Sequence, residues 1–173
     1  MKLLLKHKID LLFIIIILIL FMLFNYNFAV LHIRGTSMYP TYNDGNVLLL
    51  RKNNLRQKED IIVFKAPDSW DNYGAMFIKR IIAIENDVIE IDKNMVKING
   101  KLITHKKDKI CDFPDVSKKF ILKKGEYFVM GDNIENSNDS LLQYCQGNEN
   151  FLIQDKDVKF TGKEIFLYRG VFN

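Results

Sequence analysis

Met76–Ile84 reads M-F-I-K-R-I-I-A-I: an isoleucine-rich run with two adjacent cations at its centre. Apolar β-branched residues in a short run after Gly74 favour a strand. Alternation places Phe77, Lys79 and Ile81 on one face and Ile78, Arg80 and Ile82 on the other, so one cation points inward. A lysine desolvated among apolar side chains loses its preference for the charged form, and its pKa falls. Such an amine becomes a usable general base near neutral pH. The same pair could instead straddle an exposed edge strand and guard it against aggregation. This stretch alone leaves both readings open.

The surrounding chain shares the same grammar. Asn43-Asp44-Gly45 is a turn signal before Val47–Leu50, and Ile61–Phe64 is a short run ended by Pro67. Val88–Ile91 and Met95–Ile98 flank Asp92-Lys93-Asn94 as a hairpin, and Asn99-Gly100 predicts a second turn before Lys101–Ile103. Glu126–Met130 follows Lys123-Lys124-Gly125, and Val158–Phe160 and Glu164–Tyr168 flank Thr161-Gly162-Lys163 as a further turn. No helical period is sustained over several turns after residue 31. The expectation is one mainly β domain over 32–173, without internal repeats. Its polar, Pro114-containing stretch at about 101–120 reads as a small insertion away from the core.

The start of the chain is of another kind. Leu11–Phe24, L-L-F-I-I-I-I-L-I-L-F-M-L-F, contains no polar residue. Extended to Leu31 it is ~21 residues and ~31 Å as a helix, one hydrocarbon thickness. A buried soluble helix would show a polar face. A cleavable signal peptide would have a shorter apolar core ending in a small-x-small site, whereas Asn-Tyr-Asn-Phe-Ala follows Phe24. The reading is a transmembrane anchor over 9–31. Lys2, Lys6, His7 and Lys8 precede it, which keeps 1–8 cytoplasmic and puts the rest outside, in the cell membrane as a single-pass protein.

Just beyond the anchor, the apolar extended run Phe28–Ile33 leads into Gly35–Tyr42, G-T-S-M-Y-P-T-Y. Ser37 sits between small residues and a proline turn, a corner that suits a nucleophile and equally suits a serine bonded to its own backbone. The third polar element is Gly131–Ser140, G-D-N-I-E-N-S-N-D-S, a tight loop after the strand Tyr127–Met130 that could aim hydroxyls at a neighbouring amine. The three histidines do not suit a Ser-His-Asp triad: His7 is cytoplasmic, His32 is at the membrane edge and His105 is in the insertion. Their scarcity also disfavours a cysteine protease or a multi-histidine metal site.

The net charge of +4 is small and partly cytoplasmic, and no basic stripe with interleaved aromatics suits nucleic acid. Cys111 and Cys145 both fall in the exported part, where an oxidising compartment permits a disulfide and the sequence leaves its formation open. Trp70, Tyr73 and Phe77 suit a lipid interface, and Phe77 and Trp70 equally suit the core.

Together the three polar stretches resemble bacterial type I signal peptidases, the leader peptidases with a Ser-Lys dyad. Ser37-Met38-Tyr39-Pro40-Thr41 matches the family's S-M-x-P-T, Lys79-Arg80-Ile81-Ile82 its K-R and apolar run, and Gly131–Ser140 its G-D-N-x-x-x-S-x-D-S-R up to the final arginine. Glu59–Phe64 echoes its G-D-I-V-V-F element. The resemblance implies one membrane helix and a coiled β-sheet catalytic domain. It also implies a membrane-bound serine endopeptidase that removes signal peptides from exported precursors, cuts after Ala-x-Ala and acts as a monomer without metal or organic cofactor. Ser37 would be the nucleophile, Lys79 the base, Ser137 the residue that holds the amine, and the Ser37 N–H an oxyanion donor. Asp132 would pair with Arg80. A specialised pilin- or conjugation-type processing peptidase and a catalytically silent membrane-anchored binding domain are the alternatives. Departures are Gly35 where some members carry serine, Tyr42 for leucine, Glu59 for glycine, Ala83–Asp87 for G-L-P-G-D, and Leu141 for the last arginine, which leaves Asp139 short of its usual partner.

Overall fold

The computed structural model describes residues 2–70, 74–92, 95–105 and 118–170. Helix α1 (Lys2–Asn27) is followed by strands β1 (Phe28–His32), β2 (Val47–Asn53), β3 (Ile61–Lys65), β4 (Met76–Ala83), β5 (Val88–Ile91), β6 (Met95–Ile98), β7 (Lys101–His105), β8 (Lys118–Ile121) and β9 (Glu126–Met130). A short helix α2 (Ser140–Cys145) and strands β10 (Ile153–Gln154) and β11 (Val158–Tyr168) complete the chain. One antiparallel sheet has the order β1-β2-β11-β3-β4-β9-β10, and a second has the order β7-β6-β5-β8. The protein is mainly β, with one apolar N-terminal helix, as the sequence implies.

The apolar segment of α1, His7–Asn27, has a mean hydropathy of 2.7, and none of its residues is buried in the protein. It ends four residues before the expected limit of the anchor. Asn25 and Asn27 turn their side-chain amides back onto the carbonyls of Phe21 and Leu23, and Lys52 Nζ donates to the Asn25 carbonyl at 2.6 Å. The next residues leave the helix to pair with β2, Phe28 opposite Arg51 through His32 opposite Val47. The carbonyls at the helix end are thus met by side chains, and the backbone beyond it by a sheet.

Two further expectations are corrected. Thr161-Gly162-Lys163 is not a turn but the middle of the 11-residue strand β11, which pairs with β2 on one side and β3 on the other. Glycine stands there because a Cβ on residue 162 would come within 2.5 Å of the Arg51 carbonyl oxygen, so it marks close approach of a backbone rather than a bend. The second sheet also starts earlier than the proposed insertion, at Val88. Ile89, Ile91, Val96 and Ile98 pack with Phe128, Met130 and Leu141 in one buried cluster, so this sheet carries core. Residues 106–117, Cys111 among them, lie outside the described residues; Cys145 at the end of α2 is disulfide-bonded.

A second cluster holds Ile62, Phe64, Trp70, Ile81 and Val129, with Phe77 against it. Trp70 is 1% exposed and donates its indole N–H to the Asn150 carbonyl, so of its two sequence readings the core is correct. Phe77 lies 5.8 Å from Phe64 and 6.0 Å from Trp70, ring to ring; Tyr73 lies outside the described residues. A third cluster, Ile33, Met38, Tyr42, Leu48, Leu50 and Ile61, packs beneath the turn that carries Ser37.

Candidate active site

Strand β4 resolves the ambiguity of its two cations. Lys79 is 2% exposed, and Arg80, on the opposite face, is only half-buried. Lys79 lies opposite Ile62 of β3 in the antiparallel register, and its Nζ is 5.3 Å from the centre of the Phe77 ring. Burial lowers its pKa to about 8; the carboxylates of Asp139 and Asp132 favour the charged amine and only partly oppose that fall. Its Nζ donates to Ser37 Oγ at 2.7 Å. Two residues 42 apart in sequence therefore meet as a hydroxyl and a buried amine within direct proton-transfer reach.

The Ser37 turn is short and tied at several points. Tyr39 N–H donates to the Thr36 carbonyl and Tyr42 N–H to the Met38 carbonyl, with a cis Tyr39–Pro40 bond between them. Gly35, at φ +80, donates its N–H to Asp44 Oδ1. Tyr42 is buried and donates its hydroxyl to Glu164 Oε2 of β11 at 2.8 Å; burial and this carboxylate push the phenol well above its ordinary range. Tyrosine in place of leucine thus adds an anchor beneath the turn.

The polar loop reaches the turn from the other side. Arg80 donates from Nε and Nη2 to the two carboxylate oxygens of Asp132 at 2.8 and 2.7 Å, so the expected pair is present and bidentate. From there Asn133 N–H donates to the Ser37 carbonyl at 3.0 Å, its side chain to the Thr36 carbonyl at 3.1 Å, and the Asn136 side chain to Thr36 Oγ1 at 2.8 Å. The loop is bonded within itself, Asn136 N–H to the Asn133 carbonyl and Gly131 N–H to Asp139, and its asparagines also clasp the nucleophile turn. Gly131 permits this contact. A Cβ there would lie 2.4 Å from the Ser37 carbonyl oxygen and 2.3 Å from Ser137 Oγ.

Asp139 does not lack partners. It caps α2 by accepting from Leu141 and Leu142 N–H through one oxygen, and it accepts from Gly131 N–H at 2.9 Å through the other. Burial raises its pKa against these bonds. Leu141 occupies the core rather than reaching for Asp139 as an arginine would. Helix α2 was not visible in sequence; a polar loop followed by six residues shows no period, and the Asp-x-x cap was the one available signal. Ser137 sits less simply. Its hydroxyl lies near enough to Asp139 to favour the charged carboxylate, yet it is buried outside hydrogen-bond geometry to any partner, Lys79 included.

A groove of about 730 Å³ opens over Ser37 and Lys79, walled by Leu31–Met38 on one side and Met76–Lys79 on the other. Strand β9 pairs with β4 only from Arg80 onward, so Met76–Lys79 has β3 along one edge and the groove along the other. The site is thus a serine–lysine pair at the floor of a cleft with an open strand edge, on a β domain carried by an apolar helix.

Comparison with known proteins places this chain. A model of the family described as signal peptidase, peptidase S26, matches residues 6–145, and the chain belongs to that family. It is 34% identical over 118 residues to signal peptidase I V of Bacillus subtilis (strain 168), covering 58% of this chain and 67% of that protein. It is 33% identical over 118 residues to the probable signal peptidase I-1 of a Synechocystis strain, covering 63% and 59%, and 30% identical over 130 residues to signal peptidase IB of Staphylococcus aureus, covering 62% and 65%. The matches thus span about three-fifths to two-thirds of these relatives' own length. Among solved structures, a signal peptidase I from Enterococcus faecalis V583 aligns with a TM-score of 0.44 at 21% identity, over 62% of this chain and 97% of that one.

Proposed function

We propose that this chain is a membrane-bound serine endopeptidase that removes signal peptides from exported precursors through a Ser37–Lys79 dyad. The observation that carries the reading is the 2.7 Å contact between Ser37 Oγ and a lysine amine that burial brings to a pKa of about 8. Family membership supports the reaction class.

In this reading neutral Lys79 takes the proton as Ser37 Oγ bonds to the scissile carbonyl carbon. The backbone N–H of Ser37 meets the oxyanion. Collapse breaks the C–N bond, and the Lys79 proton leaves with the amine of the mature protein. Neutral Lys79 then takes a proton from the water that attacks the acyl carbon; collapse breaks the bond to Ser37 Oγ, which takes the proton back from Lys79, and the signal peptide departs as an acid that ionises to a carboxylate. Ser137, buried and uncommitted, would hold the amine when Ser37 is acylated and no longer accepts from it.

The precursor would lie extended in the groove and add a strand to the open Met76–Lys79 edge, with small side chains of an Ala-x-Ala site entering it. The three lysines ahead of the span set residues 1–8 on the cytoplasmic side and the domain outside. One copy of the chain supplies every residue named, which fits action as a monomer. The test is cleavage of an Ala-x-Ala precursor by the detergent-solubilised full chain. Ser37→Ala and Lys79→Ala each abolish it, and the double variant is no worse than either single one. Substantial cleavage by Lys79→Ala would overturn the dyad.

A further inference from the structure

Thr36, next to the nucleophile, is exposed to solvent, yet hydrogen bonds hold both its backbone and its side chain. Its carbonyl accepts from Tyr39 N–H at 3.0 Å and from Asn133 Nδ2 at 3.1 Å, and its Oγ1 accepts from Asn136 Nδ2 at 2.8 Å. The bonds to the carbonyl set the plane of the Thr36–Ser37 peptide. That peptide is trans, so its carbonyl and its N–H point to opposite sides. The Ser37 N–H is therefore aimed away from Tyr39 and Asn133, and it meets no acceptor among the described residues. It is a donor oriented before any substrate arrives.

The bond from Asn136 does the same for the hydroxyl. It occupies a lone pair of Thr36 Oγ1, and a threonine hydroxyl that accepts one bond still has its own proton to give. That O–H donates to no described residue. Four covalent bonds separate Oγ1 from the Ser37 nitrogen, which puts the two donors at most ~5 Å apart. Two donors that share one acceptor at ~2.9 Å each stand at that spacing or closer. Thr36, Ser37 and Asn136 all line the groove over the dyad, and Gly35, the residue before them, brings no side chain to this corner.

We infer that the Thr36 hydroxyl is a catalytic residue, the second donor to the oxyanion beside the Ser37 N–H, and that Asn136 is the positioning residue that turns it there. The inference rests on Ser37 acting as the nucleophile. As the bond from Ser37 Oγ to the scissile carbon forms and the carbonyl π bond opens, charge gathers on the carbonyl oxygen, and the two fixed donors meet it there. Thr36 keeps its proton throughout and gives only a hydrogen bond, which is released when the intermediate collapses. Such a bond strengthens in the transition state, so it acts on kcat rather than KM. Both side chains are neutral, so their effect does not depend on the protonation of Lys79.

The test is cleavage of an Ala-x-Ala precursor peptide by the detergent-solubilised full chain, with kcat and KM separated and a pH profile for each variant. Thr36→Val keeps the β-branch and loses the hydroxyl. It should lower kcat roughly 100-fold, with KM and the position of the acid limb as in wild type. Thr36→Ala should match it, which separates loss of the hydroxyl from any effect of the added methyl group, and Thr36→Ser should restore most of the rate. Asn136→Ala should lower kcat roughly 10-fold alone and have little further effect in the Thr36→Val background, because it acts through the hydroxyl. A Thr36→Val enzyme as fast as wild type, a loss confined to KM, or a Thr36→Ser enzyme no better than Thr36→Val would overturn the donor. Additive losses from Asn136→Ala and Thr36→Val would overturn the positioning. A wild type that leaves the precursor uncut, or a Ser37→Ala variant that still cuts it, would overturn the proposed function itself.

Discussion

The activity of this site should turn on how dry Lys79 is, and Ile62→Thr tests that directly. Ile62 is fully buried and stands opposite Lys79 in the register of β3 and β4. It stands beside an amine whose pKa burial lowers to about 8. At pH 7 such an amine is ~10% neutral, against ~0.04% for an ordinary lysine of pKa ~10.4. The neutral form is the base, so kcat/KM should rise about tenfold per pH unit on the acid side and level off above about pH 8. Threonine keeps the β-branch, is smaller by one carbon, and adds a hydroxyl that solvates the ammonium. The acid limb should then move up by ~0.5 to 1 unit, which lowers kcat/KM roughly 3- to 10-fold near pH 7 and leaves the alkaline plateau near wild type. The assay is a pH–rate profile on an Ala-x-Ala peptide for the solubilised wild type and Ile62→Thr. A flat wild-type profile from about pH 6 to 10, or a limb that Ile62→Thr leaves in place or moves to lower pH, would refute the reasoning.

Gly131→Ala would drive a methyl group into the Ser37 carbonyl oxygen at 2.4 Å and Ser137 Oγ at 2.3 Å. It should cost at least tenfold in kcat and ~1–3 kcal/mol in stability, read by single-turnover kinetics and urea unfolding, and a variant equal to wild type in both would contradict the clasp. Lys79→Met should inactivate the protein and stabilise it at neutral pH. The folded pKa of about 8 lies below the ordinary lysine value of 10.5, so the unfolded chain binds the extra proton between these values, and stability rises with pH through that window. Below it the wild type carries the full cost of a buried ammonium, ~3 kcal/mol before loss of the Ser37 hydrogen bond is subtracted, so a Met variant less stable than wild type at pH 7 in thermal unfolding would refute it.

What the sequence by itself determined are the features written in local composition and period. An unbroken apolar run specifies a membrane-length helix because lipid requires every backbone group to be satisfied internally. Alternation around Lys79 and Arg80 specifies one inward and one outward cation because successive strand side chains point to opposite faces. Ser37, Lys79 and the Asp132–Arg80 pair were legible for these reasons and through their motifs. The tertiary structure alone decided which cation is inward, because that depends on β3 and on the packing of Ile62 and Phe77 around it. It also decided that Gly162 marks a crowded strand rather than a turn, since the crowding atom belongs to Arg51, 111 positions away and invisible to any local window. The partners of Asp139 are backbone N–H groups of Gly131, Leu141 and Leu142, and backbone groups carry no sequence signature.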